Sequence, residues 1–462
     1  MQRNINENDI NSLQAKEIIT IAMPAVFETL FTTFTSIIDT KMVSSMGTKA
    51  ISAIAVTDQP RLFIMSTFLA INTVISALVA YKHGSNDRKG ANSIYVTALI
   101  LVGMGSIILG VVAALAARPI MLLCSGQADT MDMSVMYFRI IMLGMIFNTL
   151  FMANNATLRG CGFTKVTFVS NAIACLVHIV FDYLLIGGNL GFPALGIEGA
   201  AFATIIGNIV ALIVNMNYML KKDAFVSLLY SVKNEVKPTI DSVKEIYAMW
   251  KNVLVENLMT RIGFLISSSI TARIGSLAMS VYAVGQHLMN VNYAIGNGFQ
   301  TAAVALLGKC KGAGKYATMR KYANRILRYG LLFALVLSVL IVVFARPYYS
   351  FFNTEEVFIQ MGIYVCWIIA IISPIQVTKI IFTGFLQGLG QMKQTMIAAI
   401  VAVTIVQPIC NLIFIVILPW GLWGVWLSVL ISQGTWLLIM RHYYAKTIAT
   451  LPTEDIGIAT AN

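Results

Sequence analysis

Charged residues are scarce in this sequence. Only 11% of its 462 residues are Asp, Glu, Lys or Arg, whereas 58% are hydrophobic. A soluble protein carries about a quarter charged residues, so this chain has too little charge to cover a surface that faces water. The composition excludes an ordinary soluble protein and predicts one whose surface faces lipid.

Three kinds of motif are also missing. The six cysteines are scattered without a Cys-x-x-Cys pair, so we expect free thiols buried among helices. The polar N-terminal stretch MQRNINENDINSLQAKE has no apolar core and is not typical of a signal peptide. A Gly-rich P-loop for nucleotide binding is absent from the sequence, which argues against transport driven directly by ATP.

Long apolar segments are what the sequence does contain. Segments long enough to cross a bilayer, separated by polar or Gly/Pro stretches, predict an all-α integral membrane protein with twelve transmembrane helices. Their approximate spans are 17–42, 50–81, 92–116, 134–157, 165–188, 198–220, 245–272, 278–308, 319–344, 358–386, 394–418 and 422–444.

The net charge of +12 comes from Lys and Arg residues concentrated in alternate loops, with dense clusters at 221–237 and 309–321. Basic residues collect in cytoplasmic loops, and an even number of spans places both termini on that side. We therefore predict a multi-pass protein of the cell membrane with both termini in the cytoplasm, and no nucleic-acid partner.

The two halves of the sequence are related by a shift of 228 residues. This shift maps Glu28 onto Glu256 and Gly47 onto Gly275, and the Leu-x-Gly-x-Gly motif at 158–162 recurs at 386–390. We infer two pseudo-symmetric six-helix lobes related as a parallel repeat. The predicted organisation is a cytoplasmic tail at 1–16, an N-lobe at 17–220, a cytoplasmic linker at 221–244, a C-lobe at 245–446 and a cytoplasmic tail at 447–462.

The first span, PAVFETLFTTFTSIIDTKMVSSMG, carries Glu28 and Asp39 inside an apolar run. They are about three helical turns apart and share one helix face. A charge at bilayer depth costs roughly 2.5–3.5 kcal/mol on insertion scales, so such residues usually face a bundle interior or a wet cavity. In the second copy Asp39 is replaced by Ser267, which indicates that one copy kept the acid and the other lost it.

Three stretches give the chain a family resemblance: Asp-Thr-x-Met at Asp39–Met42, Leu-Arg-Gly-x-Gly at 158–162, and FDYLLIGG around Asp182 followed by GIEGAAFAT. From about residue 16 to 446 the chain resembles the multidrug and toxic compound extrusion (MATE) family. Members have two six-helix lobes that open alternately to either side of the membrane. The resemblance implies an N-lobe cation site at Asp39, His178, Asp182 and Thr204, with a Na⁺ ion possible at Asp39, Asp182 and Thr204.

The spacing of these residues is consistent with such a site. His178 and Asp182 are four residues apart and lie on one helix face. Counting along the predicted helices places all four residues in the outer half of the bilayer. Two carboxyl groups in a low-dielectric site cannot both ionise cheaply, so at least one should bind a proton or another cation. Similar proteins mostly carry Asn at the position of His178, and imidazole titrates near neutrality, which favours protons as the coupling ion.

The C-lobe departs from the NorM-type branch of the family, which uses acids on helices seven and ten. At the position where that branch carries the helix-seven acid, this chain has Thr260, and its tenth span (358–386) contains no acid. We therefore expect no C-lobe cation site of that type.

Other polar residues inside the spans are candidates for a cavity or gate. These are Glu28, Glu256, Asp58 and Asn154. Asp58 and Arg61 are three residues apart, a spacing that also suits a structural ion pair. Asn154 is equally consistent with an interhelical hydrogen bond.

The leading hypothesis is an antiporter that exports organic cations or drugs by alternating access, coupled to H⁺ or Na⁺. Its expected partners are small organic cations and membrane lipid, without a further cofactor, in a chain that acts as a monomer. An alternative is a flippase for a lipid-linked saccharide, which would use basic residues such as Arg61, Arg261 and Lys379 to hold a pyrophosphate. We predict no enzyme, because no nucleophile or metal-ligand set accompanies the acids at a recognisable spacing.

Overall fold

The computed structural model describes residues 7–44, 46–124, 129–221 and 224–456, and these residues form helices without any β-strand. The first half contains α1 (Glu7–Ser44), α2 (Thr48–Gly84), α3 (Arg88–Leu115), α4 (Met131–Leu143 continued by Met145–Gly160), α5 (Thr164–Gly187) and α6 (Ile197–Met219). The second half contains α7 (Ile240–Ile274), α8 (Ser276–Gly312), α9 (Tyr316–Val343), α10 (Glu356–Gly388), α11 (Met392–Ile417) and α12 (Gly421–Ala449).

Ten of these helices in the described part of the chain are each long and apolar enough to cross a membrane, and the two segments of α4, bent by 46°, make an eleventh span. The 37-residue α8 completes the set. The predicted all-α membrane fold with twelve long helices is confirmed.

The helix boundaries follow the sequence repeat. The starts of α8 and α9 lie 228 residues after those of α2 and α3 (48 to 276, and 88 to 316), and their ends keep the same offset. Gly47 and Gly275, which precede α2 and α8, have φ angles of 96° and 95°. A side chain with a Cβ rarely adopts this conformation, so glycine is favoured at both copies of the turn.

The helices cluster into two compact units, one of residues Phe27–Trp250 and the other of Lys251–Asn462 together with Met1–Val26. Tyr95 and Phe138 are fully buried in the first unit. In the second unit, the core around Phe299 includes Ile18 and Ala22 from α1. By packing, the boundary between these two units falls within α1, after Val26.

The predicted tails and linker are partly helical. Residues 1–6 and 457–462 lie outside the described residues, and α1 already begins at Glu7. In the linker, of which residues 222–223 are not described, Leu228–Lys233 forms a short helix. Arg88 of α3 donates to Ala224 O at 2.8 Å, which holds the linker against that helix. All six cysteines are free thiols, as predicted, but only three of them are buried and the other three are half-buried.

Candidate functional site

The acids of α1 and α5 meet inside the unit Phe27–Trp250. Asp39, His178 and Asp182 each present one ligand atom, and these atoms all lie within 4.8 Å of one another. Asp182 is completely buried, whereas Asp39 and His178 are partly exposed. We refer to these three residues as the Asp–His cluster. The structure thus brings together three of the four residues that the resemblance implied.

The fourth residue, Thr204 of α6, reaches the cluster through His178. Thr204 Oγ1 lies 3.1 Å from His178 Nε2 and also donates to Ala200 O at 3.0 Å. Since the hydroxyl proton is directed to Ala200, Nε2 is the donor of the His178–Thr204 bond. The same Nε2 lies 3.2 Å from Asp182 Oδ2. His178 therefore presents an N–H between the hydroxyl and the carboxyl group.

Close helix packing fixes the position of His178. A Cβ added to Gly207 of α6 would lie 2.9 Å from Ala174 O and 3.3 Å from His178 Cβ. The absence of a side chain at Gly207 lets α6 approach α5 at the turn that carries His178. One helical turn away, Thr204 makes its contact with the imidazole.

The carboxyl groups of Asp39 and Asp182 are close enough to share a hydrogen bond. Neither oxygen of Asp182 receives an aligned hydrogen bond from a donor among the described residues. Two ionised carboxylates repel each other and cannot form a hydrogen bond, because neither has a proton to donate. The close contact is therefore favourable only when one group carries a proton or a cation lies between them. Because the Asp182 oxygens lack an aligned donor, they fit a proton or a small cation that prefers oxygen ligands.

A charged pair on α2 flanks the cluster. Asp58 and Arg61 form the predicted ion pair, with Arg61 Nη2 3.1 Å from Asp58 Oδ1. Both lie within electrostatic range of Asp39. Tyr137 of α4 is buried and faces the charges of Asp39 and Asp182. Nothing in the spacing of the sequence pointed to Tyr137.

The remaining candidates are held by specific partners. Glu28 accepts hydrogen bonds from Arg159, Thr167 and Asn171 at 2.5, 3.1 and 2.9 Å. Asn154 is fully buried and accepts a hydrogen bond of 2.7 Å from the Tyr95 hydroxyl.

Glu256, in the other unit, accepts a hydrogen bond of 2.6 Å from Thr395. Residue spacing along the chain did not point to the partners of Glu28, although the 228-residue shift maps one of them, Thr167, onto Thr395, the partner of Glu256.

Comparison with known proteins gives three consistent matches. The family model MatE matches twice, at residues 24–184 and 253–413, once in each half of the repeat. The probable multidrug resistance protein NorM of Thermotoga maritima is 22% identical over 419 residues, which cover 90% of this chain and 89% of the relative. The multidrug export protein MepA of Staphylococcus aureus is 22% identical over 400 residues, 83% of this chain and 82% of the relative.

Solved structures show the same fold. One is described as the outward-facing conformation of a multidrug resistance MATE family transporter of the MOP superfamily. It superimposes with a TM-score of 0.87 at 18% identity, and the match covers 95% of this chain and 96% of that one.

Proposed function

Because the chain belongs to the MatE family and is a transporter embedded in a membrane, we propose that it exports small organic cations in exchange for a coupling cation. The observation that carries this proposal is the convergence of Asp39, His178 and Asp182 within 4.8 Å. A buried pair of carboxyl groups can bind a coupling cation and release it when the surroundings change.

Protons are the coupling ion that best suits this cluster. His178 contributes nitrogen rather than oxygen, whereas hard cations such as Na⁺ prefer oxygen ligands. Thr204, expected among the ligands of Na⁺, has its hydroxyl engaged by His178 and Ala200. His178, Asp39 and Asp182 would titrate as one coupled unit that takes up and releases a proton.

The direction of transport follows from the proposed topology. With both termini in the cytoplasm, the basic loops face inward and the Asp–His cluster lies in the outer half of the membrane. Protons entering from outside would load the cluster, and organic cations would leave the cell in return. We propose that the protein acts as a monomer in the cell membrane.

The flippase alternative has less support. Its pyrophosphate group would require several free cationic side chains in one cavity. Arg61 is already paired with Asp58, and Lys379 is buried against the ring of Trp436. No observation favours this alternative over the antiporter.

Transport into vesicles containing the purified protein tests the proposal. A pH gradient imposed without Na⁺ should drive the accumulation of a fluorescent organic cation, and a Na⁺ gradient at equal pH should not. Accumulation driven only by Na⁺ would refute proton coupling, and accumulation with neither gradient would refute antiport altogether. Empty vesicles provide the control.

A further inference from the structure

Glu256 of α7 has lost most of the partners that hold its counterpart Glu28. In the first repeat, Arg159, Thr167 and Asn171 donate to Glu28. In the second repeat the threonine is kept as Thr395, but the positions of Arg159 and Asn171 are occupied by Gln387 and Ala399.

Glu256 is nevertheless buried, with 8% of its surface exposed, and it forms no ion pair within 4 Å among the described residues. Thr395 provides the one hydrogen bond from a side chain that the structure shows for it. A buried carboxylate with so few donors is poorly stabilised.

The nearest positive charge comes from another helix. Lys379 of α10 is 2% exposed and lies within electrostatic range of Glu256. Its Nζ atom is 3.7 Å from the ring centroid of Trp436 and 5.3 Å from that of Tyr293. Within the described chain no oxygen atom accepts a hydrogen bond from this ammonium group, so its close partners are aromatic faces. The first repeat has Phe151 at this position, which makes Lys379 specific to the second repeat.

Two buried amides lie near the lysine, on either side of the Tyr293 hydroxyl. Gln376 lies one helical turn before Lys379, is fully buried, and lacks an aligned hydrogen bond at both Nε2 and Oε1. Gln433 Oε1 and Trp436 Nε1 on α12 are also buried, and neither forms an aligned hydrogen bond with another described residue. All of these groups are neutral, so they do not balance the charge of Glu256, and Lys379 is left as its cationic neighbour.

We propose that the unit containing Lys251–Asn462 holds a second proton-binding site, in which Glu256 carries the exchangeable proton and Lys379 is its cationic partner. When a proton arrives, one carboxylate oxygen of Glu256 forms an O–H bond and the ammonium remains charged. When the proton leaves for bulk water, the restored carboxylate is again balanced by Lys379. The groups facing the pair from the neighbouring helices are Tyr293 of α8, Thr395 of α11 and Trp436 of α12.

Infrared difference spectroscopy of the full-length protein in lipid nanodiscs tests this site without a substrate or a gradient, so the result does not depend on the proposed transport function. A pH titration of the wild type should reveal a protonated-carboxyl band that changes with pH and disappears in Glu256→Gln. The same band should persist in the Asp39→Asn/Asp182→Asn variant, which removes the acids of the other unit.

Two further variants sharpen the test. Glu28→Gln is the matched control from the first repeat and should leave the band unchanged, because Arg159 and two further side chains already donate to Glu28. Lys379→Met removes the balancing charge and should leave the Glu256 band present throughout the titration. The proposal is overturned if Glu256→Gln has the wild-type spectrum at every pH. It is also overturned if the Glu256 band of the wild type does not respond to pH. Thermal unfolding of each variant verifies that it is folded.

Discussion

Thr395 donates a hydrogen bond to Glu256 across 2.6 Å, and the same bond occurs in the other half of the molecule, where Thr167 donates to Glu28 across 3.1 Å. The two bonds join the first and fifth helices of each repeat. The surroundings of the two acids differ, because Glu28 also forms an ion pair with Arg159, whose Nη2 lies 2.5 Å from Glu28 Oε1. One ancestral contact has therefore become a closed ion pair in one copy and an under-stabilised carboxyl group in the other.

Removal of the Glu28 carboxyl group should destabilise the protein. Glu28→Ala leaves Arg159 without its anionic partner, and breaking a buried pair costs about 3–5 kcal/mol. Because the Arg159 side chain is about one third exposed, we expect roughly 2 kcal/mol. Thermal unfolding in detergent measures the loss, with Glu28→Gln as the milder control. An unchanged melting temperature for Glu28→Ala would contradict this structural role.

Asp39→Asn and Asp182→Asn should each reduce coupled export to the level of empty vesicles while the protein remains folded. Asn cannot exchange a proton, so the Asp–His cluster loses its coupling group. Ser267→Ala, at the counterpart of Asp39, should transport normally. Ser267→Asp should not rescue Asp39→Asn, because Val406 and Cys410 stand at the counterparts of His178 and Asp182. Drug resistance of the wild-type level in either Asn variant would remove the cluster from the mechanism.

His178→Asn should change the ion dependence of transport. The amide provides the neutral oxygen that His178 lacks, so transport driven by a pH gradient should weaken and a Na⁺ gradient should gain effect. The measurement is the initial rate of dye uptake under each gradient, compared between His178→Asn and the wild type. If the variant behaves like the wild type under both gradients, His178 only donates a hydrogen bond to Thr204.

Gly207→Ala should impair transport without unfolding the protein. Its Cβ would lie 2.9 Å from Ala174 O, so α6 must move away from α5 and the His178–Thr204 contact of 3.1 Å lengthens. We expect a loss of about tenfold in coupled export, equivalent to ~1.4 kcal/mol.

Gly434→Ala in α12 is the matched control, because no heavy atom lies within 4 Å of the added Cβ. It should transport normally and be up to about 1 kcal/mol more stable. Equal transport by the two variants would refute the packing argument.

Asp87, outside the spans, should stabilise the start of α3 in a pH-dependent way. Partial burial opposes ionisation, but the N–H of Gly90 and the Lys82 ammonium outweigh it and hold the pKa of Asp87 below its ordinary value. A lowered pKa contributes stability at neutral pH that is lost as the pH falls through the folded-state value. Asp87→Ala should therefore cost about 1 kcal/mol at pH 7 and less below about pH 4. If Asp87→Ala lowers the free energy of unfolding by the same amount at every pH, the charge of Asp87 does not contribute to stability.

Much of this protein can be predicted from its sequence. Hydrophobic runs determine where helices cross a membrane, because unsatisfied backbone polar groups are too costly in lipid. The 228-residue shift predicts the repeat, and the helix boundaries of α2 with α8 and of α3 with α9 reproduce it without error. The acids Asp39 and Asp182 stand out because charge is expensive inside an apolar run.

Other features depend on packing between helices that are distant in sequence. Whether Asp58 is a cavity residue or the partner of Arg61 depends on side-chain geometry that spacing leaves open. The burial of Glu28 against Arg159, and the separation of Glu256 from Lys379 beside Trp436, result from which helix faces meet. Periodicity along one helix determines which residues share a face, but it contains no information about the neighbour that covers that face. For this reason the acids could be identified from the sequence, whereas their partners were decided only by the tertiary structure.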